Sequence, residues 1–185
     1  MKIMTARAAT ATVLLLVLGG LVVVGADGEV TVTPVVSGGR VLASFSAPGA
    51  WTDDARELVR GGVVVTFAFD VELRRPSMLF DSTLARVRME TRGKYDTLTN
   101  SFQVSKLRDG KLLQSSRSGQ EPEVRDWMIG FQQVLLEPAE PLEPNAEYYV
   151  RVRLFASPQR TFSLSALWPF GRDDGSGRAA FTFIR

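Results

Sequence analysis

Val63-Val-Val-Thr-Phe-Ala-Phe-Asp-Val-Glu-Leu-Arg74 decides the fold class. Val63, Val65, Phe67, Phe69, Val71 and Leu73 fall on one side of an extended chain. Thr66, Asp70, Glu72 and Arg74 fall on the other. A period of two held over this length predicts a β-strand with one face in a core and the other face wet.

The pattern continues outward from there. Ala85, Val87, Met89 and Thr91 alternate with Arg86, Arg88, Glu90 and Arg92, a second strand running from Leu84 to Tyr95. Tyr95 to Phe102 reads as a turn into a third strand carrying Phe102 and Val104. Leu107 is out of phase with these, which predicts a bulge or a strand end there. Asp109-Gly110 is a hairpin turn leading into Lys111–Ser115. Upstream, Glu29–Val36 and Arg40–Ser46 form a hairpin about Gly38-Gly39, with Pro34 directing the first strand to a sheet edge.

Two short helices interrupt the strands. Trp51-Thr-Asp-Asp-Ala-Arg has a capping Thr52 or Asp53 and an acidic first turn, and Gly61-Gly62 ends the helix. The second has Pro122 near its start and an apolar stripe of Val124, Trp127, Met128 and Phe131. Gln133–Glu137 reads as a further strand.

Leu142-x-Pro144-x-x-x-Tyr148-x-Val150-x-Val152 has the spacing of a tyrosine corner, in which a Tyr near the start of a late strand bonds back to nearby backbone. An ordinary strand bounded by Pro is the other reading. Val150, Val152 and Leu154 point inward, Arg151 and Arg153 outward. Thr161–Leu167 and Arg178–Arg185 are candidate last strands. These short strands at regular spacing predict an all-β, immunoglobulin/fibronectin-III-like β-sandwich with two short helices, one domain over residues 27–185.

Residues 1–26 read differently. Lys2 and Arg7 precede Val13-Leu-Leu-Leu-Val-Leu-Gly-Gly-Leu-Val-Val-Val24, and small residues follow at Gly25-Ala26. This is the pattern of a signal peptide, and its apolar stretch is nearly long enough for an uncleaved N-terminal membrane anchor. Either places the domain in the periplasm or otherwise outside the cytoplasm, with membrane association through the retained segment in the second case. The formal charge is +2. Removing Lys2 and Arg7 leaves acids and bases balanced, so no nucleic-acid partner is expected.

The chain has no His and no Cys. Thiolate and imidazole metal sites, disulfides and His-assisted nucleophiles are therefore excluded. Asp173-Asp174-Gly175 lacks the further ligands of a calcium loop and reads as a turn. A Ser–Lys pair would need Lys94, Lys106 or Lys111, all in or beside hairpin strands. Asp70 and Glu72 stand about 7 Å apart on one strand face, a spacing tolerable for carboxylate catalysis but already explained by polar-out alternation. The reading calls for no enzyme and no cofactor.

What remains is surface. Arg74, Arg86, Arg88, Arg92, Arg151 and Arg153 all fall on outward strand positions. If their strands are neighbours they make a basic face for an acidic partner, a lipid headgroup or an anionic glycan. Interleaving with Asp70, Glu72 and Glu90 makes the alternative an ordinary solvated face. Trp127 reads as core and Trp51 as a staple on the first helix. Trp168-Pro-Phe170 is the candidate contact patch, with core packing as its alternative.

Trp51-Thr-Asp-Asp-Ala-Arg56, the strand ending Leu73-Arg-Arg75, Tyr95-Asp-Thr-Leu-Thr-Asn-Ser-Phe102, Arg125-Asp-Trp127 and Tyr149-x-x-x-Arg153-Leu154 occur in an order that resembles the exported bacterial domain family DUF4390. The resemblance covers about residues 42–184, and the Trp168-Pro-Phe region departs from it. It implies a leader and one β-rich domain, with no established activity. Genomic proximity of family members to membrane sensor kinases implies envelope signalling. The expected function is a non-enzymatic extracytoplasmic interaction module with an envelope protein partner, accessory to an envelope sensor or complex. The alternative is a binding domain for an anionic ligand on the arginine face.

Overall fold

The structure is a computed structural model that describes residues 30–158 and 175–184. Among the described residues, nine strands form two antiparallel sheets. The smaller has the order β1 (Thr31–Ser37), β2 (Arg40–Ser46), β7 (Gly130–Leu136). The larger runs β6 (Lys111–Ser118), β5 (Ser101–Arg108), β4 (Ser82–Asp96), β3 (Val65–Arg75), β8 (Glu147–Pro158), β9 (Gly175–Thr182). Chain order against strand order gives a Greek-key sandwich of the immunoglobulin and fibronectin type III kind, widened by β5 and β6.

The β3 pattern holds on its inner side. Val65, Phe67, Phe69, Val71 and Leu73 are all buried. They meet Val41, Ala43 and Phe45 from β2 and Phe131 and Val134 from β7 in one core. Phe45, Phe69 and Phe131 form a tilted aromatic triangle with centroids 5.1, 5.5 and 5.9 Å apart. The observed strand begins at Val65 rather than Val63.

The Gly38-Gly39 and Asp109-Gly110 turns have positive φ at both central residues, the handedness that matches twisted hairpin strands. Pro34 sits on the edge strand β1, where its missing N–H breaks no ladder. The predicted irregularity near Leu107 is a register shift between Lys106 and Leu107 against β6.

Helix α1 spans Asp53–Arg60, with the Thr52 hydroxyl accepting from the Ala55 amide at 3.2 Å. Trp51 packs edge-on to Phe67 with centroids 6.5 Å apart, so it fixes the helix entry against the core. Helix α2 spans Glu121–Met128. Phe131 is not on its stripe. The helix ends at Met128, where the Thr91 hydroxyl donates to the Met128 carbonyl at 2.8 Å, and β7 starts at Gly130. A Cβ on Gly130 would stand 2.3 Å from the Phe45 carbonyl oxygen, so only glycine permits this sharp hand-over from helix to strand.

Among the described residues, strand β7 is the edge of the smaller sheet opposite β1. Lys106 Nζ donates to the Gly130 carbonyl at 2.8 Å and Arg108 Nη2 to the Leu135 carbonyl at 3.1 Å. Two cations of the larger sheet thus cover backbone acceptors that an edge would otherwise present. The Lys106 ammonium also lies over the rings of Trp127 and Phe131, at 4.7 and 4.6 Å. Burial lowers its pKa.

Tyr148 is a tyrosine corner. It is buried, and its hydroxyl accepts from the Glu143 amide at 2.9 Å, five residues upstream. This fixes the crossing from β7 to β8. The same crossing is tied to the end of β9 by Asn145 N–H to Phe183 O at 2.8 Å and Phe183 N–H to Ala146 O at 3.0 Å. Residues 1–26, 161–167, Trp168-Pro-Phe170 and Asp173-Asp174 lie outside the described residues. Among the described residues no helix is long and apolar enough to cross a membrane. Tyr148→Phe should lower the unfolding free energy by about 1–2 kcal/mol, because the Glu143 amide loses its acceptor. Urea melts of the two proteins check this, and equal midpoints would count against the corner.

Candidate functional site

Register places every arginine singled out from the sequence on the outer face of the larger sheet. Glu72 of β3 lies directly between Arg86 of β4 and Arg151 of β8. Asp70 lies between Arg88 and Arg153 in the same way. These are cross-strand pairs of opposite charge on both sides of one strand.

The contacts follow the register. Arg151 donates to Glu72 Oε2 from Nε at 3.1 Å and from Nη2 at 2.6 Å. Arg86 donates to Oε1 of the same carboxylate. Arg74 and Arg153 stand at 3.8 and 3.7 Å from it. Arg88 reaches Asp70 at 3.1 Å and Glu90 at 3.2 Å, and Arg92 reaches Glu90 at 2.8 Å.

Glu72 corrects the expectation of a wet outer face: its side chain is 0% exposed. Its cover is a single layer of guanidinium groups, of which Arg86 remains 59% exposed. The carboxylate is dry but shallow. Burial pushes its pKa up, but the hydrogen bonds and charges of Arg151 and Arg86 outweigh this and hold it below the ordinary value. Glu90 is held down by Arg92 and Arg88 against the same opposing burial.

This arrangement binds charge; it does not present a carboxylate to a substrate. Both Asp70 and Glu72 are occupied by guanidinium groups, and the lowered pKa of Glu72 is wrong for a general acid at neutral pH. Lys106 donates to a backbone carbonyl, not to a serine. Among the described residues no group of three or more acidic side chains is placed to hold a metal ion.

The sheet's end carries a second feature. The loop joining β3 to β4 exposes Met78 fully, Leu79 at 85% and Phe80 at 86%. The residues around these three are pinned. Asp81 accepts from the Ser77 amide at 3.1 Å and from the Tyr149 hydroxyl at 2.5 Å. Arg74 donates to the Asp81 carbonyl at 2.9 Å. The Tyr149 ring lies under Arg74 and Arg178, with guanidinium carbons 5.9 and 4.9 Å from its centroid. The Tyr149 hydroxyl bond lowers the Asp81 pKa, and burial followed by Asp81 raises that of Tyr149.

A family model described as a domain of unknown function, DUF4390, matches residues 29–160. The chain belongs to this family. No curated protein matches the chain, and no solved structure does. In this DUF4390 domain the matched segment holds β1 to β8, and with them all six sequence-singled arginines and the exposed loop. Trp168 and Phe170 lie outside the described residues.

Three features of the DUF4390 surface were not found by reading the sequence. The Met78-Leu79-Phe80 run is too short to register as an element, though three apolar residues after Pro76 are a visible signal. Lys94 continues the outward phase of Arg86, Arg88 and Arg92, and Arg117 lies on β6. Glu72→Gln keeps the side chain's shape but removes the charge shared by the surrounding guanidiniums. The unfolding free energy should fall by about 2 kcal/mol at pH 7, less than for a fully enclosed pair because Arg86 is well exposed. In the parent, the folded carboxyl titrates below its ordinary value of 4.5, so its contribution is complete at neutral pH and is lost as pH falls through the folded value. In melts, the gap between the two proteins should therefore narrow as pH is lowered from 7 through the acid range; a gap that widens on acidification would contradict this role.

Proposed function

We propose that the domain is a non-enzymatic, extracytoplasmic protein-interaction module, accessory to an envelope sensor or complex. The observation that carries the reading is the loop of Met78, Leu79 and Phe80. Three adjacent large apolar side chains stand in water, while the residues that flank them are fixed by Asp81, Tyr149 and Arg74. Exposed apolar groups on a pre-ordered frame favour docking, because little conformational freedom is lost on binding.

The surroundings favour a protein cleft as the receiving surface. Arg74 donates to the Asp81 backbone carbonyl and its charge acts on the Asp81 carboxylate, and Arg75 holds Glu143 through two hydrogen bonds of 2.6 Å. The rim of the loop is thus locally neutralised, which gives little attraction to an anionic membrane. Export is supported by the leader-like residues 1–26.

The arginine face, the other surface named from the sequence, has less in its favour as a receptor. Arg86, Arg88, Arg92, Arg151 and Arg153 already hold carboxylates. Its part in the proposed function is to keep the sheet rigid beneath the loop.

A photo-crosslinking residue at Ser77 in intact cells tests the reading. We expect one discrete envelope protein to be captured. Changing Met78, Leu79 and Phe80 together to Asp should abolish capture and leave the melting midpoint within a few degrees. Capture that survives the triple change, or a protein that fractionates with the cytosol, would overturn the proposal.

A further inference from the structure

Beyond the arginines that hold carboxylates, the outer face dips into an open depression of about 580 Å³ across β4, β5 and β6. That volume is in the range of small-ligand sites. Two successive outward rows line it. One runs Arg92, Ser105, Ser115, and the next runs Lys94, Gln103, Arg117.

The charge pattern here differs from the rest of the face. Among the described residues, three cations line the depression and no carboxylate does. Neither Lys94 nor Arg117 forms an ion pair within 4.0 Å among the described residues, although Lys94 feels the charge of Asp96 at the edge of the depression. The nearest carboxylates flank it and are occupied. Glu90 holds Arg88 and Arg92. Asp96 accepts from the Leu98 and Thr99 amides at 2.9 and 3.3 Å and from Gln103 Nε2 at 2.6 Å.

The geometry suits one anionic group between two cations. Lys94 and Arg117 lie two strands apart in one row, about 10 Å between backbones, with Gln103 between them. Both side chains are long enough to reach a group seated above Gln103. Ser105 and Ser115 offer hydroxyl donors one row away. The Gln103 amide nitrogen is committed to Asp96, so its carbonyl oxygen is left as an acceptor. Two cations for an oxyanion, with hydroxyls and a carbonyl for neighbouring alcohols, describe a phosphate ester on a polyol.

We propose that this depression binds a phosphate ester of a small polyol, of headgroup size, with Lys94 and Arg117 on the phosphate. The same chemistry is presented by a free ester and by a lipid headgroup. The site is separate from the Met78-Leu79-Phe80 loop, so it stands or falls independently of the protein-docking function.

Titration of the purified protein with glycerol phosphate, followed by amide chemical shifts, tests the free ester. Cosedimentation with phosphatidylglycerol vesicles, against phosphatidylcholine vesicles, tests the headgroup. At least one probe should bind, with shifts for the ester centred on Gly93, Gln103 and Ser115. Lys94→Glu with Arg117→Glu should weaken that binding by about tenfold or more. Raising salt from about 0.02 to 0.5 M should weaken it comparably. Binding of the ester assigns a soluble ligand, and binding of anionic vesicles alone assigns a lipid. Neither probe binding at millimolar concentration overturns the site. So does binding that the double variant leaves intact.

Discussion

Strand β3 must satisfy opposite demands on its two faces, and the rest of the molecule is arranged around that. Its inner side chains close the core against β2 and β7. Its outer side places the Glu72 carboxylate where no water reaches it. A buried carboxylate is costly unless it is paired and fully hydrogen-bonded. The cost is offset because β4 and β8, hydrogen-bonded to either side of β3, each deliver an arginine in register. A slip of one residue in either pairing would turn those arginines inward and leave the acid uncovered. The charge lattice therefore helps specify register and chain order as well as holding the sheet.

Much of this was legible in the sequence and some was not, for identifiable reasons. The inner face of β3, the Asp109-Gly110 turn, the Thr52 cap and the Tyr148 corner are each written in local spacing, and each is present. Phe131 fell at helical spacing after Val124, yet belongs to β7, because Gly130 permits a close approach to Phe45 that no periodicity reveals. The burial of Glu72 depends on which strands flank β3. That follows from a Greek-key crossover between residues far apart in the chain. The same applies to Lys94 and Arg117, which share a row only after two turns have set the register of β4, β5 and β6.

The outer face consequently divides into regions with different chemistry. Around Asp70 and Glu72 the guanidiniums are engaged, and their role is structural. Toward β6, among the described residues, three cations and no carboxylate line the depression, with Arg117 exposed and Arg92 and Lys94 half-buried. At the β3–β4 end, apolar side chains stand on a frame held by Asp81 and Tyr149. A sandwich of this kind keeps its core chemically inert and places recognition on turns and strand faces, where side chains can change without disturbing the fold.

The central claim is that guanidinium contacts outweigh burial at Glu72. Its carboxyl pKa, read from side-chain carbon shifts in an NMR titration, tests this directly. The account predicts a value below 4.5. A value above 4.5 would mean that desolvation prevails, and that the arginines do not hold the carboxylate as described.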